Sequence, residues 1–202
     1  MRALIVISLV LITSVLTVSA RDKHQEQAIA AIIQLGGKIT YNSETADKKV
    51  IKFDLNNTAV TDGDLRHVRH FKDLEELDLR VTNVGDPGMQ YVGFLKNLRS
   101  LNMFRTNLSD AGLVRLKNLG KLETLLIGRT KVTDAGLQAV GNLSLLKKLS
   151  VFETAVTDQG LKHLEKLRLL EVLLITGSKI SEEGAKAMQR TRPTLRFRED
   201  VT

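Results

Sequence analysis

An acidic residue recurs every 24 residues along most of this chain: Asp62, Asp86, Asp110, Asp134, Asp158 and Glu182. An apolar column keeps the same step, with Leu55, Leu79, Met103, Ile127, Val151 and Ile175. A hydroxyl column does so too, with Thr58, Thr82, Thr106, Thr130, Thr154 and Ser178. A fixed period of this length around an apolar pattern predicts a solenoid of stacked units. Such a fold offers an extended binding surface, so a catalytic pocket is not the default expectation.

Each unit divides into a strand-like half and a helix-like half. In residues 98–103 (LRSLNM), apolar Leu101 and Met103 alternate with polar Ser100 and Asn102, which is typical of a strand with one buried face. In the next unit, Leu137, Val140 and Leu143 lie at helical spacing. Six units of this kind align between residues 49 and 192. We therefore predict that every unit is a short strand, a turn and a helix of two to three turns.

Four columns of the repeat have a predicted structural role. A Thr or Ser precedes the acidic residue in most units and suits an N-cap, and we expect the acidic column to help cap the same helix. In the second unit Gly85 replaces the hydroxyl, so Asp86 is expected to cap. The threonine column should satisfy buried backbone groups of the turn. A glycine column should let neighbouring helices approach: Gly88, Gly112, Gly136, Gly160 and Gly184.

The units resemble the leucine-rich repeat family in its short form, L-x-x-L-x-L-x-x-T-x-V-T-D-x-G-L-x-x-L-x-x-L. Residues 122–143 (LETLLIGRTKVTDAGLQAVGNL) follow this pattern almost throughout, and the resemblance extends over about residues 50–189. It implies an α/β fold, a right-handed leucine-rich repeat solenoid with a parallel sheet on the concave face and short helices on the convex face. The resemblance also implies protein binding as the usual function, with no shared substrate or cofactor.

Residues 1–20 have the features of an export signal. Arg2 is followed by an apolar stretch, and residues 18–20 (VSA) fit the small-x-small rule of signal peptidase. The stretch is interrupted by hydroxyl residues and is shorter than the roughly 20 apolar residues that span a bilayer. We expect cleavage near Ala20, and a retained anchor is the alternative. The chain has no cysteine, so disulfides cannot stabilise it, and we interpret it as a bacterial protein that is periplasmic, envelope-bound or secreted.

The two ends of the repeat array are expected to be capped. Residues 21–48 are predicted to form an N-terminal helical cap, because Ile29, Ile32 and Ile33 lie on one face of a helix that ends near Gly36. Residues 193–202 are predicted to form a C-terminal cap. Phe197 lies 24 residues after Leu173, which favours a partial seventh repeat strand there.

Side chains on the strands and just after them should line the concave face. The candidate partner-binding residues are Asp78, Arg80, Asn102, Phe104, Arg105, Arg129, Phe152 and Glu153. Arginines and aromatic rings are enriched at interface hot spots. Large exposed rings on a polar sheet face indicate a partner. The alternative is that these rings pack against neighbouring strand side chains.

Nothing in the sequence indicates catalysis or a metal site. His67 and His70 have a spacing that a metal can bridge, but no third ligand is suitably placed. We therefore predict a non-enzymatic protein with no cofactor, no nucleic-acid partner and membrane contact only through the signal peptide. It is expected to be a monomer that binds a protein of unknown identity.

Two other functions stay open. The chain without residues 1–20 has 29 Lys and Arg against 23 Asp and Glu, a net charge of +6. This charge suits an envelope-associated structural protein that binds acidic polymer. The third interpretation is a repeat adaptor that resembles the F-box ubiquitin-ligase receptors, although no F-box segment is present.

Overall fold

The structure is a computed structural model that describes residues 23–42 and 48–198. The predicted signal peptide and the last four residues of the predicted C-terminal cap lie outside these ranges. Within the described residues, no helix has the length and apolar character needed to cross a bilayer.

One sheet of eight strands runs through the molecule in chain order. Its strands are β1 (Lys38–Tyr41), β2 (Val50–Asp54), β3 (Glu76–Asp78), β4 (Ser100–Asn102), β5 (Thr124–Leu126), β6 (Lys148–Ser150), β7 (Val172–Leu174) and β8 (Arg196–Arg198). β1 is antiparallel to β2, and every later pair is parallel. Each parallel step advances by one sequence period, as from Leu101 to Leu125. The 24-residue period therefore equals one step across the sheet.

A helical segment follows each strand from β2 to β7, and α1 (Lys23–Gln34) precedes the sheet. These segments are a 3-10 helix (Asp64–His70), a 3-10 turn (Asp86–Gly88) that leads into α2 (Met89–Val92), then α3 (Asp110–Arg115), α4 (Asp134–Val140), α5 (Asp158–Leu164) and α6 (Glu182–Thr191). The prediction of two to three α-helical turns is wrong for the first two repeats. In both, the N-cap residue is a glycine that makes no side-chain hydrogen bond.

Rows of leucine fill the space between the sheet and the helices. The strand positions Leu77, Leu101, Leu125, Leu149 and Leu173 are all buried. The helices contribute a second row, with Leu113, Leu137 and Leu161. Each buried leucine stabilises the fold by roughly 1.5–3 kcal/mol. Because the leucines of each repeat pack against those of the next, the core continues from one repeat to the next and no single repeat forms it alone.

The two ends differ in how well the sequence predicted them. At the N-terminus α1 buries Ala28 and Ile32, while Ile33 is 58% exposed, so its buried face is narrower than expected. The cap is also not purely helical, because β1 extends the sheet. At the other end the predicted extra strand is confirmed: β8 pairs with β7, and Phe197 lies beside Leu173.

The threonine column has its predicted role. Five hydroxyls donate to the carbonyl oxygen three residues earlier, at 2.6–2.8 Å, in Thr58, Thr82, Thr106, Thr130 and Thr154. A buried carbonyl left without a partner costs about 1–3 kcal/mol, so each threonine removes that cost at the end of its strand.

The acidic column joins neighbouring repeats by hydrogen bonds. Asp86, Asp110, Asp134 and Asp158 lie in the first turn of their own helical segments as expected, but their carboxylates accept hydrogen bonds from the next repeat. Asp134 accepts hydrogen bonds from the backbone N–H and the hydroxyl of Thr157, both at 2.7 Å. Thr157 itself caps α5, because its oxygen accepts from the N–H of Gln159. The same arrangement joins Asp86 to Ser109, Asp110 to Thr133 and Asp158 to Ser181.

The glycine column makes room for these carboxylates. A Cβ atom at Gly160 would lie 2.5 Å from Oδ1 of Asp134, and one at Gly88 would lie 2.6 Å from Oδ1 of Asp62. The close approach is therefore between a glycine and the carboxylate of the preceding repeat. Glu182, in the last repeat, pairs within its own helix with Lys186. We call the repeated Asp, hydroxyl and Gly contacts the inter-repeat ladder.

Candidate partner-binding site

Two aromatic rings come together on the concave face because a glycine separates them. Phe104, Gly128 and Phe152 occupy the same position in three successive repeats. Strands two steps apart are separated by about 9.6 Å, yet the two ring centroids are only 6.2 Å apart. A Cβ atom at Gly128 would lie 3.0 Å from Cβ of Phe152 and 3.1 Å from Cδ2 of Phe104. The missing side chain therefore lets the rings lean toward each other.

Arg129 completes this arrangement. Its guanidinium carbon lies 5.6 Å from the centroid of Phe104 and 5.5 Å from that of Phe152, within cation–π range of both rings. Nε and Nη2 donate to the two carboxylate oxygens of Glu153 at 2.6 and 2.8 Å. These hydrogen bonds lower the pKa of the Glu153 carboxyl and raise the pKa of Arg129. We call Phe104, Arg129, Phe152 and Glu153 the aromatic–arginine cluster.

The rings lie on the surface of the sheet. Phe104 and Phe152 are half-buried and are not among the core residues beneath the strands. The rings contact each other and Arg129, as expected if they pack against neighbouring side chains, and part of their surface stays accessible. Four of the eight candidate residues belong to this cluster.

Three other candidates shape the turn that follows each strand. Asp78 accepts a hydrogen bond from the N–H of Arg80 at 3.1 Å and pairs with its Nε at 3.0 Å. Asn102 accepts from the N–H of Phe104 at 3.1 Å. Burial raises the pKa of the Asp78 carboxyl, the contacts with Arg80 oppose this, and the charge of Asp54 adds to the rise. Asp78 and Asn102 thus hold the backbone on which the neighbouring side chains stand.

In each repeat, the residue that directly follows the position of Phe104 has a left-handed backbone. The φ angles lie between 48° and 71° for Asn57, Val81, Arg105, Arg129, Glu153 and Gly177. Among these, β-branched Val81 is the most strained, because its side chain crowds a left-handed backbone. Arg105 shares the conformation, is exposed and forms no ion pair with a described residue. The structure therefore leaves Arg105 beside the cluster as an open cation.

A groove of about 340 Å³ runs along the concave face next to the cluster. Its walls include Arg80, Asn102, Phe104, Leu126, Lys148 and Leu174. Leu126, Lys148 and Leu174 were not among the candidates. Their strand positions did predict that they face the concave side, and the register places Leu126 beside Asn102 and Leu174 beside Ser150.

Within residues 23–42 and 48–198, no group of three His, Cys, Asp or Glu side chains is placed to hold a metal ion. The ring of His70 instead stacks on that of His24, with centroids 5.4 Å apart.

Comparison with known proteins agrees with this architecture. Residues 72–93 and 94–117 match the family model described as leucine-rich repeat. The fold is similar to the crystal structure of an internalin from Listeria monocytogenes, with a TM-score of 0.55 and 16% identity. The match covers 85% of this chain and 54% of that one, so this chain spans about half the length of the internalin. No curated protein matches the sequence, whereas 190 solved chains match the fold. A fold shared this widely does not identify a partner.

Proposed function

We propose that this leucine-rich repeat protein is a non-catalytic, exported module that binds a protein through its concave face. The aromatic–arginine cluster forms the centre of the contact, and Asp78, Arg80, Asn102 and Arg105 border it. The stacked sheet supplies a broad surface of the kind that solenoid proteins use for recognition.

The observation that carries the proposal is the open pair of rings around Arg129. Aromatic and arginine side chains dominate binding energy where they cluster at the centre of an interface. Nε and Nη2 of Arg129 donate to Glu153, and the two rings restrict where the guanidinium group can move. A side chain that is already ordered loses little conformational entropy on binding, which favours affinity.

The adjoining groove supports a protein as the ligand. Leu126 and Leu174 give it an apolar floor, while Arg80 and Lys148 line it with cations. An apolar anchor of the partner fits against the leucines, and its acidic neighbours fit the cations. Export is part of the proposal because of the signal-like residues 1–20.

Photo-crosslinking in the native host envelope tests this function. A photoreactive residue at position 105, on the concave side, should capture a protein, and one at Val114 on the convex side should not. The double variant Phe104→Ala/Phe152→Ala should lose the capture at position 105. The matched variant Ile33→Ala, which truncates an exposed apolar residue on α1, should retain it. Equal capture from both positions, or capture that survives loss of both rings, would show that the concave face is the wrong surface.

Salt separates the protein partner from the acidic-polymer alternative. Binding through charge alone weakens steeply as ionic strength rises, whereas a contact around two rings persists. Binding of the wild-type protein to isolated envelope that disappears at high salt, with no protein captured at position 105, favours the polymer.

A further inference from the structure

One edge of the solenoid carries basic and exposed apolar side chains together. Four loops that each lead from a helix to the next strand form this helix-to-strand edge: residues 93–98, 117–122, 141–146 and 165–170. Phe94 is 67% exposed on it, Leu169 44% and Leu145 41%. These are three of the five large apolar residues that stand out as exposed in the described chain.

The net charge of this edge is positive. Its four loops carry Lys96, Lys117, Lys121, Lys166 and Arg168 against the single carboxylate of Glu165, a net charge of +4. All five cations are exposed, and none forms an ion pair with a described residue. The opposite edge, in residues 81–86, 105–110, 129–134 and 153–158, carries three cations and five carboxylates, a net charge of −2.

The first two loops of the edge contact each other, and the first also contacts the preceding loop at Lys72. The side-chain amide of Asn97 donates to the carbonyl of Lys72 at 2.8 Å, and its oxygen accepts from Nζ of Lys121 at 2.7 Å. Two hollows share Phe94 and Lys96, and their other walls include Arg69, Lys72, Arg115 and Lys117 but no carboxylate. Around Phe94, the basic and apolar groups therefore form one continuous surface.

We propose that the helix-to-strand edge docks on an anionic membrane surface. Each cation near an anionic membrane surface contributes about 1 kcal/mol to binding. Each should therefore raise the partition coefficient of the protein about fivefold. The exposed ring of Phe94 and the exposed side chains of Leu145 and Leu169 select a membrane, because they can enter the boundary between headgroups and acyl chains. A hydrated acidic polymer offers no comparable apolar layer. This inference is independent of the concave-face proposal and goes beyond the expectation that only the signal peptide contacts a membrane.

Vesicle sedimentation tests the membrane proposal, with the chain from Arg21 onward so that the apolar leader is absent. Every buried core residue described above lies in this part of the chain. The protein should bind vesicles that contain phosphatidylglycerol and not pure phosphatidylcholine vesicles. Lys96→Gln/Lys166→Gln should lower the partition coefficient about 25-fold. Lys131→Gln/Lys179→Gln makes the same charge change in two segments that lead from a strand to the next helix, residues 129–134 and 177–182, and should lower it much less.

The apolar contribution is tested separately. Phe94→Ser/Leu169→Ser should weaken vesicle binding while leaving the net charge unchanged, and Phe104→Ala/Phe152→Ala should leave it intact. Equal losses in the two lysine pairs would overturn the proposal, because they would show that net charge alone acts. Polyglutamate binding as tight as vesicle binding, together with no effect of Phe94→Ser/Leu169→Ser, would also overturn it in favour of an acidic polymer.

Discussion

The inter-repeat ladder makes a quantitative prediction at Asp158, Ser181 and Gly184. The Asp158 carboxylate accepts from the N–H and the hydroxyl of Ser181, both at 2.7 Å. Hydrogen bonds to a charged group contribute about 1.5–3 kcal/mol each, and an unpaired partner adds its own cost. Because the site is only half-buried, water replaces part of what is lost. We expect Asp158→Ala to lower the free energy of unfolding by about 2–3 kcal/mol.

Gly184 provides the second arm of a double-mutant cycle. The three atoms nearest to a Cβ placed there all belong to the Asp158 carboxyl group. Gly184→Ala should therefore displace the carboxylate and destabilise the wild-type protein. In the Asp158→Ala background the obstruction is gone, and alanine should stabilise α6 by about 0.5–1 kcal/mol because it is a better helix former than glycine.

Urea unfolding of the four proteins measures this coupling. The two substitutions should interact strongly, and Gly184→Ala should change from destabilising to stabilising. Glu182→Ala is the control, because Glu182 occupies the acidic column but its carboxylate pairs only with the exposed Lys186. Additive effects of Asp158→Ala and Gly184→Ala, or a loss in Glu182→Ala as large as in Asp158→Ala, would refute the ladder.

Three further predictions concern the concave face. Val81→Asn should raise the free energy of unfolding by about 0.5–1 kcal/mol, since Asn tolerates a left-handed backbone better than Val; an unchanged urea midpoint would contradict the strain. The hydrogen bonds from Arg129 lower the pKa of Glu153, so the stability this pair contributes is present above the ordinary Glu pKa and is lost as pH falls through the folded pKa. In an NMR titration, Arg129→Ala should raise the midpoint of Glu153 to its ordinary value, and an unchanged midpoint would exclude Arg129 as the cause. Gly128→Ala should force the two rings apart at a cost of about 1–3 kcal/mol, with loss of the NOEs between them; retained NOEs would show that the gap is not required.

The period and the strands could be predicted from the sequence because each depends on local alternation. Leu77 and Leu101 differ by one period, so their neighbourhood in the sheet followed directly from the spacing. The antiparallel β1 was not predicted, because it precedes the repeats and no column reaches it. The 3-10 segments of the first two repeats were also missed, since apolar spacing does not show whether an N-cap makes its hydrogen bond.

The contacts of the acidic column needed three-dimensional structure. A Thr-Asp pair at a helix start is equally consistent with capping and with a bond to the next repeat. Only the stack places Asp134 against Thr157 and leaves room at Gly160. At the candidate site, the columns placed Phe104, Arg129 and Phe152 on neighbouring strands. Gly128 had no predicted role, because the contact between the two rings that its missing side chain allows is visible only in three dimensions.

The most direct test of concave-face binding is hydrogen exchange of the protein alone and with the partner captured at position 105. The amides of residues 102–105, 126–129 and 150–153 should exchange more slowly in the complex. Those of α3, α4 and α5 on the convex face should keep their rates. Slower exchange confined to the helices, with these three segments unaffected, would contradict the account.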